Sequence, residues 1–312
     1  MPLNRVFLRQ NIESLVDRFS RERFSVVLIG VLALIGSGAA GLLQGIPQPQ
    51  AHDEFSYLLA ADTFAHGKLT NPTHPMWIHF ETMHVIHVPS YASKFMPAQG
   101  AILALGQVLG GHPIVGAWLS MAFMCAAICW MLHACVPRRW ALLGGVLTII
   151  HPIIGVGGYW AQSYWGGAVA ATGGALLLGG ARRLLREPRV PFAVAVGIGL
   201  SILANSRPYE GLVLSLPVAI AMLIGLAGKH RFNLGLVVRR VLLPLGFIGA
   251  LCLAELAYYN YEVTGHAYQL PYQVHENTYS VSPLFIWQSI PPAPTYRHDI
   301  IREFHTSFEL PF

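Results

Sequence analysis

The chain has 312 residues, of which 54% are hydrophobic and 11% charged, with a mean hydropathy of +0.50. Soluble domains carry about 25% charged residues, so the composition excludes an ordinary soluble protein and points to an all-α, polytopic membrane protein. The net charge of +5 does not imply nucleic acid as a partner, because the basic residues follow the topology set out below. Cys125, Cys129, Cys135 and Cys252 all lie in apolar segments, with neither a disulfide framework nor a zinc-ligand spacing.

Residues 1–23 place Val6, Leu8, Ile12, Leu15, Val16 and Phe19 roughly on one helical face, with Arg5, Arg9, Glu13, Asp17, Arg18 and Arg21 mostly opposite. That pattern predicts a cytoplasmic interfacial helix. Phe24–Gln44 is free of charge for 21 residues, enough to span a bilayer, and is too long and too far from the start for a signal peptide. A polar island follows at Ala51–Pro97, within a first loop at 45–111. It holds the carboxylates Asp53, Glu54, Asp62 and Glu81, six histidines and two lysines. Its seven Phe, Trp and Tyr residues argue against disorder, and a loop of this length in a compact protein is expected to carry function. Ala98–Gly110 is apolar but short, which predicts a helix along the interface.

Further spans are expected at about 114–135, 140–160, 165–181, 190–206, 211–228 and 241–258, making seven and a membrane module over 24–258. Fifteen of the 20 basic residues then fall on one side: those of the N-terminus, Arg138/Arg139, Arg182–Arg189 and Lys229–Arg240. The positive-inside rule therefore puts the N-terminus in the cytoplasm and the histidine-rich loop outside. Residues 259–312 form a polar, aromatic, proline-rich tail on the outside. The last residues bring no closing signal, which suits a fragment of a longer protein. No internal repeat is visible.

Asp53 and Glu54 open a helical pattern, HDEFSYLLAADTFAHG, that Gly67 closes. An acidic pair here serves as N-cap and first-turn charge, or as a general base or metal ligand at the membrane surface. Tyr57 shares a helical face with Asp53. Arg207 stands at a span end with Glu210, either snorkelling to headgroups or binding phosphate. His79, Glu81, His84 and His87 are candidate metal ligands, although their spacing differs from the i, i+4 pair of a helical zinc site. Glu255 is the one acidic residue inside an apolar span and so a functional candidate.

One span, then outside Asp-Glu followed by an aromatic and Tyr-Leu-Leu-Ala, leads on to Tyr91, Lys94, Pro97 and Gly100 and into Ala-Ile-Leu-Ala-Leu-Gly. This order resembles the GT-C membrane glycosyltransferases of the protein-mannosyltransferase and aminoarabinose-transferase type, over about residues 24–270. The resemblance implies a seven-helix N-terminal module in a bacterial inner membrane, with interfacial helices in the first extracytoplasmic loop. It implies a polyprenyl-phosphate-sugar donor, a lipid, glycan or protein acceptor, and inversion at the anomeric carbon. Asp53 takes the place of that family's catalytic carboxylate, with Glu54 beside it. Lys94 and Arg207 become donor-phosphate contacts, with Tyr57, Tyr91, Glu210 and Glu255 as further candidates. Several family members carry another acidic residue in the second outside turn, where this chain has Ala161–Gly167 without one, so no cofactor is assigned and divalent-metal dependence stays open. The rival expectation is a transporter or a scaffold subunit of an envelope complex. Transporters place ionisable groups near the midplane, whereas these concentrate at one face.

Overall fold

The computed structural model describes residues 14, 17–227, 233–283, 285 and 287–309. Most of the expected interfacial helix over 1–23 lies outside the described residues; 17–19 are helical, and Ser20 and Arg21 break the chain before the first long helix. The protein is predominantly α-helical, with one small three-stranded sheet. Its helices divide between two compact units.

The first unit contains the residues up to Gln48 and Ile114–Cys252. It comprises α1 (Glu22–Gln44) and, numbered in chain order after the two helices of the second unit's loop, α4 (Ile114–Cys135), α5 (Arg138–Ile150), α6 (Gly167–Leu184), α7 (Val190–Ala204) and α8 (Pro208–Ala227). The first part of α9 (Leu234–Thr264) belongs here too, and a π-helical turn at Val238–Leu242 interrupts that helix. Helix α4 packs against α1, α5 and α6, and α6 packs in turn against α7. Ile29, Ala33, Met121, Met124, Cys125 and Cys129 fill the first contact region. Leu177, Leu184, Val196, Leu203 and Val241 fill the second. Close approach of α6 and α7 requires glycine, since a Cβ at Gly199 would lie 2.7 Å from the Gly173 carbonyl oxygen. Arg183 is buried between helices, with its guanidinium 4.0 Å from the Trp130 ring centre and 2.7 Å from Glu22.

Four helices among the described residues are long and apolar enough to cross a membrane: α1, α4, α8 and α9. The expectation of seven spans is not met on that measure, although each expected segment contains a helix. Helix α5 has 13 residues and rises only about 20 Å against a hydrocarbon core of about 30 Å. Pro152 stops it, because the residue before a proline is driven out of the helical region, and His151 is extended at ψ 131°. Helix α7 has 15 residues, and the 18 residues of α6 carry Arg182 and Arg183 in the last turn.

The second unit combines Pro49–Pro113 with the chain from Leu253 onward. The first loop and the tail, widely separated in sequence, thus form one body. The loop contributes α2 (His52–Ala65), β1 (Asn71–Pro72), β2 (Val85–Ile86), β3 (Ser90–Ser93) and α3 (Pro97–Gly110). The tail contributes the end of α9, α10 (Pro271–Tyr279) and α11 (Asp299–Glu303). Strand β3 is central and antiparallel to both neighbours, pairing Asn71 with Tyr91 and Ile86 with Ala92. Ile86, Ala92, Tyr259 and Val263 form a core flanked by Phe64, Leu69 and Val274, so the end of α9 seals one side of the sheet. Gly100 lets α3 lie on α2, where a Cβ would come within 2.6 Å of the Ala60 Cβ.

Candidate functional site

The site is built within the second unit, starting from the first turn of α2. Ala51 occupies the N-cap position, and Glu54 reaches back to accept hydrogen bonds from the backbone N–H groups of Gln50 (3.3 Å) and Ala51 (3.2 Å). Glu54 is 1% exposed, so the neighbour of Asp53 is committed to closing the helix terminus. Asp53 lies in the same first turn, at the positive end of the helix dipole.

The partner of Asp53 is His84, whose Nε2 lies 3.0 Å from Asp53 Oδ1. His84 is a non-glycine residue in the left-handed region at φ 62°, a conformation that clusters at functional sites when the surroundings impose it. The surroundings here are specific. The His84 N–H donates to His275 Nε2 (3.2 Å), and its carbonyl accepts from the Ser56 hydroxyl (2.6 Å) and the Lys94 N–H (3.1 Å). Burial lowers the His84 pKa below the ordinary 6.5 and outweighs the opposing hydrogen bond to Asp53. The ring is therefore neutral at pH 7, and its Nε2–H donates to the carboxylate. Nδ1 is then a buried lone pair with no hydrogen-bond partner among the described residues.

Behind His84 lies a second layer. His275 accepts at Nε2, so its proton sits on Nδ1, which points at Glu276 Oε1 across 3.5 Å, too long for more than a weak contact. Lys94 donates to the same carboxylate at 3.1 Å, with Nζ 5.0 Å from the Tyr272 ring centre. Burial holds the His275 pKa down at about 3. Burial works to raise Glu276, but His275 and Lys94 together outweigh it and bring the carboxyl down to about 2. A third cluster gathers on Glu81, which accepts from the Tyr279 hydroxyl (2.8 Å) and Arg297 (3.0 Å). Burial, reinforced by Glu81, raises the Tyr279 pKa.

The residues singled out from sequence are thus partly brought together. Asp53, His84 and Lys94 belong to one connected network. Tyr57 is buried nearby and stacks on Phe95 at 4.6 Å, and Tyr91 on β3 meets His87 at 5.5 Å. Lys94 is only 4% exposed, and Glu276 already matches its charge. Arg207 belongs to the first unit and pairs with Glu210 at 3.1 Å on an exposed surface, and Glu255 is exposed on α9. The four candidate metal ligands go to different tasks: His84 to Asp53, Glu81 to Tyr279 and Arg297, His87 to an aromatic stack with Trp77, and His79 to solvent. No group of three His, Cys, Asp or Glu residues able to hold a metal ion occurs among the described residues.

Comparison of the chain with family models, curated proteins and solved structures finds no match in any of the three.

His275, Glu276, Tyr279 and Arg297 were not legible as site residues from the sequence. The one local signal is the i, i+4 spacing of His275 and Tyr279 in PYQVHENTY, which puts both on the buried face of α10.

Proposed function

We propose that this chain is a multi-pass membrane glycosyltransferase that moves a sugar from a polyprenyl-phosphate donor to an acceptor hydroxyl or amine, with Asp53 as general base. The observation that carries this reading is the Asp53–His84 pair. The carboxylate is 23% exposed and so reachable, while its histidine partner is 8% exposed, neutral and fixed by backbone hydrogen bonds. A carboxylate oriented by a neutral donor keeps its charge and retains acceptor capacity for a substrate proton. In sequence, Asp53 comes nine residues after the end of α1, a helix long enough to span a bilayer.

In the proposed reaction Asp53 takes the proton of the acceptor O–H or N–H as the acceptor attacks the anomeric carbon from the side opposite the phosphate. The new bond forms as the anomeric C–O bond breaks, and polyprenyl phosphate leaves with that electron pair. Lys94 acts here by positioning, because phosphate contact at its ammonium would have to displace Glu276. The architecture accompanying this reading is a GT-C-like helical module in a bacterial inner membrane, with the N-terminus cytoplasmic and the first loop outside. The acceptor is a lipid, glycan or protein on that outer side. A cysteine replacing exposed Lys68 in a cysteine-free background should react with an impermeant reagent on intact cells, whereas one replacing Glu187 should not.

Asp53→Asn tests the base. The amide preserves shape, and Glu54 still caps α2, so the protein should insert and fold. Transfer from a synthetic polyprenyl-phosphate sugar should fall by about 10²–10⁴-fold while donor binding persists. A well-folded Asp53→Asn protein with near wild-type transfer sinks the assignment.

A further inference from the structure

Within the first unit, the segment before α1 and the first turn of α5 line an open cavity of about 1170 Å³. Arg18, Arg21, Arg138 and Arg139 line it, together with Asp17 and Trp140. Asp17 holds Arg139 through contacts of 2.8 Å from both Nε and Nη2. That hydrogen bond keeps the Asp17 carboxyl below its ordinary range, so it counts as one full negative charge. No carboxylate of the described residues lies within ion-pair distance of Arg18, Arg21 or Arg138. Among the described lining residues, four cations against one anion leave a charge of +3.

Further observations specify the ligand class. Pro137, Arg138 and Arg139 at the start of α5 line the cavity, so the positive end of a 13-residue helix lies beside it. Guanidinium groups match phosphate oxygens two at a time. The cavity adjoins the start of α1 and the end of α4, two helices long enough to cross a bilayer. Trp140 is 64% exposed there, the position an indole takes at the level of lipid headgroups. A single phosphate ion would leave most of this volume unfilled.

From these features we infer a binding site for the phosphate headgroup of an anionic membrane lipid, held by Arg18, Arg21 and Arg138 with Trp140 beside the glycerol region. Asp17 fixes Arg139 as the wall of the site and keeps it from swinging over the cavity mouth. The inference does not rest on the transferase reading, since it uses no residue of the second unit.

The test uses the full chain purified in a neutral detergent. Binding of a short-chain phosphatidylglycerol is compared with binding of the matching phosphatidylcholine and of inorganic phosphate, by native mass spectrometry and by titration. The wild-type protein should favour the anionic lipid over the zwitterionic one by at least about tenfold. The combined variant Arg18→Gln/Arg21→Gln/Arg138→Gln should weaken it on the order of 100-fold, each cation at an anionic lipid surface contributing about fivefold. A control variant, Arg182→Gln/Arg186→Gln/Arg189→Gln, removes three basic residues that do not line the cavity and should leave binding unchanged. Equal loss in both variants would show diffuse surface attraction and overturn the site. Equal affinity for both lipids, or binding of inorganic phosphate as tight as that of the lipid, would overturn the lipid assignment. Should the combined variant fail to fold, Arg138→Gln alone carries the test, with a loss of about fivefold expected and unchanged binding refuting it.

Discussion

The two units hold themselves together by different means. In the first, glycines and alanines let helices touch along their backbones, and most charge lies exposed at the helix ends. In the second, charge and imidazole are taken inside: Glu54, His84, Lys94, His275 and His305 are all nearly inaccessible. Small-residue packing suits helices whose surroundings are as apolar as their side chains, where burial of apolar surface gives little drive. A buried polar network suits a site that needs fixed directions, and it fails sharply when one member is lost. The comparison predicts that a similar ion pair has different value in the two places.

The sharpest way to break the comparison is to strip one partner from each pair. Lys94→Met leaves Glu276 buried without its cation and should destabilise the second unit by about 3–5 kcal/mol. Hydrogen exchange over residues 84–94 and 271–279 should report the loss, and Lys94→Met/Glu276→Leu should recover much of it. Arg207→Met removes one half of an exposed pair and should cost no more than about 1 kcal/mol. Equal losses would erase the distinction.

Acid should separate the units next. The folded-state pKa of His275 is about 3 against an ordinary 6.5, so its contribution is complete above pH 6.5 and fades as pH falls toward 3. Glu276, at about 2 against 4.5, contributes fully above pH 4.5 and loses that contribution as pH falls toward 2. Both slopes have the same sign, so protection of the second unit should already drop between pH 7.5 and 5.0. His275→Gln should reduce the slope there, leaving the part contributed by His84 and His87, whose pKa values burial also lowers. A flat wild-type profile would mean that His275 is not held neutral.

A smaller effect sharpens the packing side. Gly199→Ala forces a Cβ against the Gly173 carbonyl, and Gly100→Ala forces one against Ala60. Each should cost about 1–3 kcal/mol by overpacking, detected as a lowered thermal midpoint in detergent.

The helices were largely legible in the sequence, because apolar runs and punctuation are local. The span expected at 114–135 is α4. The pattern closed by Gly67 is α2, with that glycine at φ +72°. The 140–160 expectation overran because apolar character continues past Pro152 while the backbone cannot. Asp53 was legible for the same local reason, as an acid at a helix start beside a span. Its surroundings were not. His84 lies 31 positions away and His275 a further 191, and no periodicity connects residues that only tertiary folding brings together. Lys94 was legible as a cation but not as a paired one, since Glu276 lies 182 residues along the chain.

That separation also sets a timetable for biogenesis. The loop bearing Asp53 and His84 leaves the ribosome long before α10 is made. At about 5–20 residues per second, the 191 residues between His84 and His275 take roughly 10–40 s to synthesise. During that interval His84 lacks the acceptor for its N–H, and Lys94 lacks its carboxylate. The nascent loop therefore lacks these fixed contacts until the tail arrives, and a chain interrupted before residue 270 would carry Asp53 without the framework that aims it.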